Sequence, residues 1–465
     1  MSRKIVGWVP HIGKTSRPHY IAIADAIETD MRAGRLAPND RLPPQRRLAE
    51  QLGLNFTTVA RAYVEAQRRG LIESRVGAGS FVRTVMPASG ARPARPLELA
   101  DMTMNLPPEP RDPALLERMR RGLVEIGADL NVLLRYQGFG GAPTDKEVAV
   151  RWLARHRLDT TADRLLICPG AHSALLAILG TLARPGDAVA CEALTYPGVR
   201  ALTAQLGLRL IGVPTDGEGM IADAFEAVCR EHAPKALYCN PTLLNPTTAT
   251  ISQRRRQALI AVARRHGVKI VEDDAYGFIP VSPPPAFATL APEITYYVSG
   301  LAKSLGAGLR IAYLVAPDVR SVWPLAASLR AATVMASPLT VALATQWIED
   351  GVAEQLLTAV REESRARQVL VREILPAGTY DTDPEAFHVW IHLPPPWTRA
   401  GFAAHMRHSG IGVVGSDAFN VGGTPPEAVR VCLGGVLDRQ ATRQALEFVA
   451  DAMNHPAPAA TASVI

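Results

Sequence analysis

Lys303, in Ala302-Lys303-Ser304-Leu305, and Asp273, in Glu272-Asp273-Asp274-Ala275-Tyr276, put a primary amine and a carboxylate just after two short apolar runs. An amine can capture an aldehyde, and a carboxylate can keep a heteroaromatic nitrogen protonated. Gly170-Ala171-His172-Ser173 lies between a run ending at Cys168 and a helix from Ala174, where backbone N–H groups and a helix N-terminus receive an anion. Tyr196, in Leu194-Thr195-Tyr196-Pro197-Gly198, offers a flat ring for stacking. Asn245, in Asn245-Pro246-Thr247, can donate to a phenolic oxygen, and Arg310, seven residues after Lys303, is a counter-charge for phosphate. Amine, carboxylate, anion cradle and stacking ring are together what pyridoxal 5'-phosphate asks of a protein. Singly, each is ordinary loop punctuation or a helix cap. As a set they gain weight, because each falls at the C-terminal end of a predicted strand, the edge of an open α/β sheet where ligands bind.

The elements that must position them are apolar runs alternating with amphipathic stretches from about residue 99 onward. The runs are Leu165–Cys168, Ala188–Cys191, Ala236–Cys239, Lys269–Glu272, Tyr296–Ser299 and Ile311–Val315. Such alternation predicts an α/β domain with a largely parallel sheet covered on both faces. Strand-like Phe387–Leu393 and Ala428–Leu433 predict a smaller C-terminal α+β lobe.

A second chemistry sits near the N-terminus. Tyr20, Ala24, Ile27 and Met31 share one helical face, Pro44 to Leu52 reads as a second helix, and Asn55 caps a third over 57–69. Leu71-Ile72 and Phe81-Val82 flank the turn Gly77-Ala78-Gly79 as a hairpin. Three helices and a hairpin predict a winged helix-turn-helix. DNA docking needs a helix for the major groove and cations for phosphate. Arg46 opens the second helix, Thr57, Thr58 and Arg61 lie at the start of the third, and Arg75 and Gly77 belong to the wing. The charge agrees: residues 1–82 hold 13 Lys+Arg and 7 Asp+Glu, a difference of +6, and the remainder holds 37 of each. The whole net charge of +6 therefore sits where phosphate would be met.

The five cysteines form no CxxC pair, so neither a zinc site nor a disulfide framework is expected, and no metal is assigned. Met1-Ser2-Arg3-Lys4-Ile5 lacks the apolar core of a signal peptide and no run approaches a membrane span. A cytoplasmic location with no membrane partner is the expectation.

Leu42-Pro43-Pro44-Gln45-Arg46, then Leu52-Gly53-Leu54-Asn55-Phe56-Thr57-Thr58-Val59-Ala60-Arg61, Gly70-Leu71 and Gly77-x-Gly79-Ser80-Phe81-Val82 resemble the GntR-type winged helix over nearly all of 18–83. The resemblance implies operator binding through Arg46, Thr57, Thr58, Arg61 and the wing near Arg75 and Gly77. Phe56 stands where many relatives carry arginine, and is expected to pack instead. Residues 99–455 resemble fold-type I PLP enzymes of the aspartate aminotransferase superfamily. On that resemblance Lys303 is the Schiff-base lysine, and Asn245, Asp273, Tyr276 and Arg310 are cofactor residues. Tyr136, in Tyr136-Gln137-Gly138-Phe139-Gly140-Gly141, reaches the partner subunit's phosphate, and Arg430 clamps a substrate carboxylate. Gly300 replaces a common phosphate-binding serine, with Ser299 expected to compensate; His172 replaces a frequent glutamine, and Thr247-Thr248 a Thr-Gly.

Both halves together are similar to the MocR subfamily of GntR regulators. The implied organisation is a winged helix over 1–83, a linker over 84–98 and a fold-type I domain over 99–465, with a large lobe at about 140–365 and a small one at about 370–455. The implied function is a PLP-dependent transcriptional regulator, a head-to-tail homodimer whose winged helices cross over between subunits. Its amino-acid or amine effector acts by aldimine exchange at Lys303. A working aminotransferase carrying a DNA-binding domain is the alternative, and a regulator whose pocket no longer binds PLP is a third reading.

Overall fold

The computed structural model describes residues 8–10, 18–33, 35–37, 40–69, 71–75, 79–82 and 100–455. Gly77 and the 84–98 linker lie outside the described residues. The chain divides into Met1–Pro96 and Leu97–Ile465.

In the first unit, helices α1 (His19–Arg32), α2 (Gln45–Leu52) and α3 (Phe56–Arg68) precede an antiparallel hairpin of β1 (Ile72–Arg75) and β2 (Gly79–Val82). Ile23, Ala24 and Ile27 of α1 bury against Leu48, Val59, Ala62 and Tyr63, with Ile72 and Val82 closing the core from the hairpin. Gly53, at φ 63°, makes the left-handed turn out of α2, which a side chain would strain. Asn55 then caps α3 by accepting from the Thr57 N–H at 2.9 Å. Tyr63 Oη donates to the Pro43 carbonyl at 2.7 Å, tying α3 to the start of α2. Together these elements are a winged helix-turn-helix.

The second unit is built on a seven-stranded sheet. In chain order its strands are β3 (Leu165–Cys168), β4 (Ala188–Glu192), β5 (Arg209–Val213), β6 (Ala236–Cys239), β7 (Lys269–Asp273), β8 (Thr295–Gly300) and β9 (Ala312–Val315). Across the sheet the order is β3-β9-β8-β7-β6-β4-β5, and β9 alone runs against its neighbours. Helix α4 (Ala171–Leu182) covers the face that carries Leu166, Tyr238, Val271 and Val298. Ile270 and Leu237 turn to a core on the other side. Both faces are covered, which is why these strands read as unbroken apolar runs. Edge strand β5 has a half-exposed burial pattern, and it lacks the run that marks the others.

A four-stranded antiparallel sheet forms the small lobe around β10 (His388–His392) and β11 (Ala428–Cys432). Helix α5 (Val352–Ile374) joins the lobes: Val352, Leu356 and Val360 belong to the large core, Leu370 and Val371 to the small one. The small lobe is not purely C-terminal, as its expected limits of about 370–455 imply. Ala100–Asp101 pairs in parallel with Ile411–Gly412, and Met102 is fully buried in the small-lobe core. Two-residue strands have too few positions to show an alternation, so the sequence carries no mark of this return. Among the described residues no helix is long and apolar enough to cross a membrane, and no His/Cys/Asp/Glu group could hold a metal ion. All five cysteines are buried free thiols.

Candidate cofactor site

The C-terminal ends of the parallel strands converge on one cavity. Gly170 and His172 reach it after β3, Tyr196 after β4, Asn240 and Asn245 after β6, Asp273 and Tyr276 from β7, and Gly300 and Lys303 from β8; Arg310 precedes β9. The period-2 alternation of a strand selects among the three consecutive acids at the end of β7, Glu272, Asp273 and the following Asp274. Glu272 turns away to accept from the N–H groups of Phe287 and Ala288, each at 2.9 Å, beside Arg256. Asp274 pairs with Arg157 at 2.7 Å and accepts from Tyr297 Oη at 3.0 Å. Asp273 alone lines the cavity.

Burial raises the Asp273 carboxyl to about 6, against the lowering effect of Tyr238 Oη, which donates to its Oδ2 at 2.8 Å. Its Oδ1 is buried without a partner. A carboxylate in that state is short of one donor, and a protonated pyridine nitrogen supplies one. Lys303 is likewise buried, and desolvation pulls its amine down to about 8, which makes the neutral, nucleophilic form accessible near neutral pH.

The anion cradle lies where α4 begins. Gly170 has φ 88°, and a Cβ there would stand 2.8 Å from Arg310 Nη2. Only glycine lets the guanidinium lie this close to the turn. Arg310 itself holds a left-handed backbone, φ 53°, a cost that clusters at binding sites. His172 Nε2 and Tyr196 Oη are hydrogen-bonded at 2.7 Å, so His172 holds the ring expected to stack. Ser299 does not contribute to the cradle. It is fully buried on the face of β8 that carries Tyr297, and Gly300, one residue on, faces Ala171 and the cavity. Strand alternation thus excludes Ser299 as a substitute for the missing serine. The donors present fit a phosphorylated pyridine aldehyde: N–H groups and Arg310 for phosphate, an unpartnered Oδ1 for the ring nitrogen, and an amine for the aldehyde.

Arg430, on β11, reaches across to the large lobe. Its Nη1 donates to Asn245 Oδ1 at 2.8 Å and its Nη2 to the Thr103 carbonyl, leaving Nε buried without a partner. Tyr276 Oη accepts from Asn105 Nδ2 at 2.8 Å, and Lys303 Nζ donates to the Asn105 carbonyl. Tyr136 stands apart from the cavity and is 81% exposed. Sequence reasoning missed Asn105, Tyr238 and Asn240 as site residues. Asn240 Nδ2 donates to the Asp273 carbonyl at 2.6 Å, and its Oδ1 accepts from the Asn245 N–H at 3.1 Å. Its position directly after β6 was the signal available.

In the head, the Arg46 guanidinium lies 5.8 Å from the Phe56 ring centroid, so Phe56 packs under an arginine while staying 44% exposed. Thr57 is exposed with its hydroxyl on Asn55 Oδ1 at 2.9 Å, and Thr58 is half-buried one residue on. Arg61 lies over the Tyr20 ring at 5.2 Å. Arg75 ends β1.

This fold and cavity define a fold-type I, pyridoxal phosphate-dependent transferase domain joined to a winged helix. Residues 101–449 match the aminotransferase class I and II family, and residues 19–82 the gntR family of bacterial regulatory proteins. The chain belongs to the class I and II aminotransferase family, in the GntR-fused, MocR-type arrangement. It is 30% identical to the uncharacterized HTH-type transcriptional regulator YdeF of Bacillus subtilis, over 92% of each chain. It is 28% identical to the vitamin B6 salvage pathway transcriptional repressor PtsJ of Salmonella typhimurium, over 92% of this chain and 96% of that one. Among solved structures, LysN, an α-aminoadipate aminotransferase of Thermus thermophilus complexed with N-(5'-phosphopyridoxyl)-L-leucine, matches with a TM-score of 0.70 at 23% identity. It covers 77% of this chain and 92% of its own.

Proposed function

We propose that this DNA-binding, pyridoxal 5'-phosphate-dependent transcriptional regulator senses an amino acid or another primary amine at Lys303. The observation that carries the reading is the pairing of a buried, readily deprotonated Lys303 with an Asp273 oxygen that lacks a partner, in one cavity of a GntR-headed chain. When bound, the cofactor supplies an aldehyde that primary amines capture reversibly. Asp273 would hold the ring nitrogen protonated, and Tyr238 would keep that carboxylate oriented. Gly170, Ala171, His172 and Arg310 would hold the phosphate, Tyr196 the ring, and Asn245 with Tyr276 the phenolic oxygen. Arg430 would select an effector that carries a carboxylate, by the bidentate pairing guanidinium favours. In the head, Arg46, Thr57, Thr58 and Arg61 would meet operator DNA, with Arg75 and Gly77 in the wing.

A homodimer is part of the same proposal. Leu123, Val124, Leu134 and Tyr136 are large apolar or aromatic side chains left between 57% and 81% exposed, and apolar exposure gathered in one stretch of chain supports an interface there. Tyr136 would then complete the partner's phosphate site.

Absorbance titration of purified protein with the cofactor tests the reading. Wild type should develop a visible band that Lys303→Ala does not, and a panel of amino acids should shift the band without catalytic release of keto acid. Sustained keto-acid production would favour the aminotransferase alternative. A band that survives in Lys303→Ala would remove Lys303 from its role.

A further inference from the structure

The first described residues of the second unit, Ala100 to Leu106, meet residues of the cavity largely through their backbone. Lys303 Nζ donates to the Asn105 carbonyl and Arg430 Nη2 to the Thr103 carbonyl. Asn105 Nδ2 adds a 2.8 Å bond to Tyr276 Oη. Both ends of this segment are anchored: the Met102 N–H donates to the Gly412 carbonyl at 3.1 Å and the Cys432 N–H to the Met102 carbonyl at 2.9 Å, and beyond Leu106 the Gly435 N–H donates to the Pro107 carbonyl at 3.1 Å, which leaves Thr103 to Leu106 as the span between. Two of the three cations that the proposed function gives to ligand, Lys303 and Arg430, are therefore already engaged, both by carbonyls of one short stretch of chain.

Hydrogen bonds from a cation to a carbonyl are stronger than neutral ones, and a buried carbonyl that loses its donor is penalised. A ligand that engages the Lys303 nitrogen or Arg430 Nη2 competes with the strap for the same N–H groups. We propose that residues 100–106 are an occupancy-sensing strap, held down by Lys303 and Arg430 in the free pocket and loosened over Thr103–Leu106 when ligand takes those groups. This rests on the assignment of Lys303 and Arg430 to ligand. Along the chain the strap lies between the DNA-binding unit and the strands that carry the site. It supplies what coupling requires: an element with two arrangements whose balance the ligand biases. By linkage, whatever loosens the strap favours ligand by the same factor.

Hydrogen exchange read by mass spectrometry on the full chain tests this without relying on activity. In cofactor-free protein, Lys303→Met and Arg430→Met each remove one donor to the strap. Exchange of the Thr103 to Leu106 amides should rise about fivefold or more in each variant, the scale expected when one hydrogen bond is lost. The core amide of Val271 in the same sample shows that the fold is intact. Addition of pyridoxal 5'-phosphate to wild type should raise exchange over the same residues. Unchanged exchange in both variants would overturn the strap whatever the cofactor does, as would binding of the cofactor that leaves these amides unaltered. If the cofactor fails to bind wild type, the assigned function falls, and the two variants still decide the strap.

Discussion

Asp273→Asn should stabilise the empty protein and weaken its hold on the cofactor at the same time. In the free pocket the Asp273 carboxyl is raised from 3.8 to about 6 by burial, roughly two pKa units, or about 3 kcal/mol at ~1.36 kcal/mol per unit. The folded chain therefore binds this proton more tightly than the unfolded chain does. The ionised group's penalty is absent below pH ~4, grows as pH rises through 4 to 6, and is complete above that. An uncharged amide of the same shape can still accept from Tyr238 Oη, so most of the penalty is relieved. Urea unfolding followed by tryptophan emission is a suitable assay, since Trp152, Trp323, Trp347, Trp390 and Trp397 all lie in the second unit. At pH 7 the variant should exceed wild type by up to about 3 kcal/mol, and the gap should close toward pH 4. Cofactor affinity should fall roughly tenfold to a hundredfold, the worth of one charge-assisted hydrogen bond. A variant less stable than wild type at pH 7, or a gap that does not change with pH, would refute the reasoning. Sites that bind charged ligands commonly carry such a cost when empty.

Gly170→Ala should reduce cofactor affinity more than about tenfold, because the added Cβ would stand 2.8 Å from Arg310 Nη2 in a backbone at φ 88°; equilibrium dialysis giving wild-type affinity would remove the Gly170 turn from the phosphate cradle. Arg46→Ala should lower the slope of log affinity against log salt for duplex DNA by about 0.9, the value of one phosphate contact. Fluorescence anisotropy across a salt series measures it, and an unaltered slope would mean that Arg46 serves only to cover Phe56.

The order of residues along the chain was enough to determine the two unit types, the six main strands of the large sheet and the candidates at their ends. A strand and the residues just past it are joined covalently, so Asp273, Lys303 and the Gly170 turn are legible from the apolar runs and the polar or glycine residues that close them. The GntR head was legible for a similar reason: caps, a left-handed glycine and a hairpin are short-range features. Tertiary structure alone decided who completes the site. Asn105 meets Lys303 from 198 positions away and Arg430 meets Asn245 from 185, distances over which sequence spacing carries no geometry. The choice between Ser299 and Gly300 turned on which face of β8 looks into the cavity, and a run of apolar residues buried on both faces gives no sign of that. Tyr238 looked like core in sequence; only the pairing of β6 beside β7 made it the donor that holds Asp273.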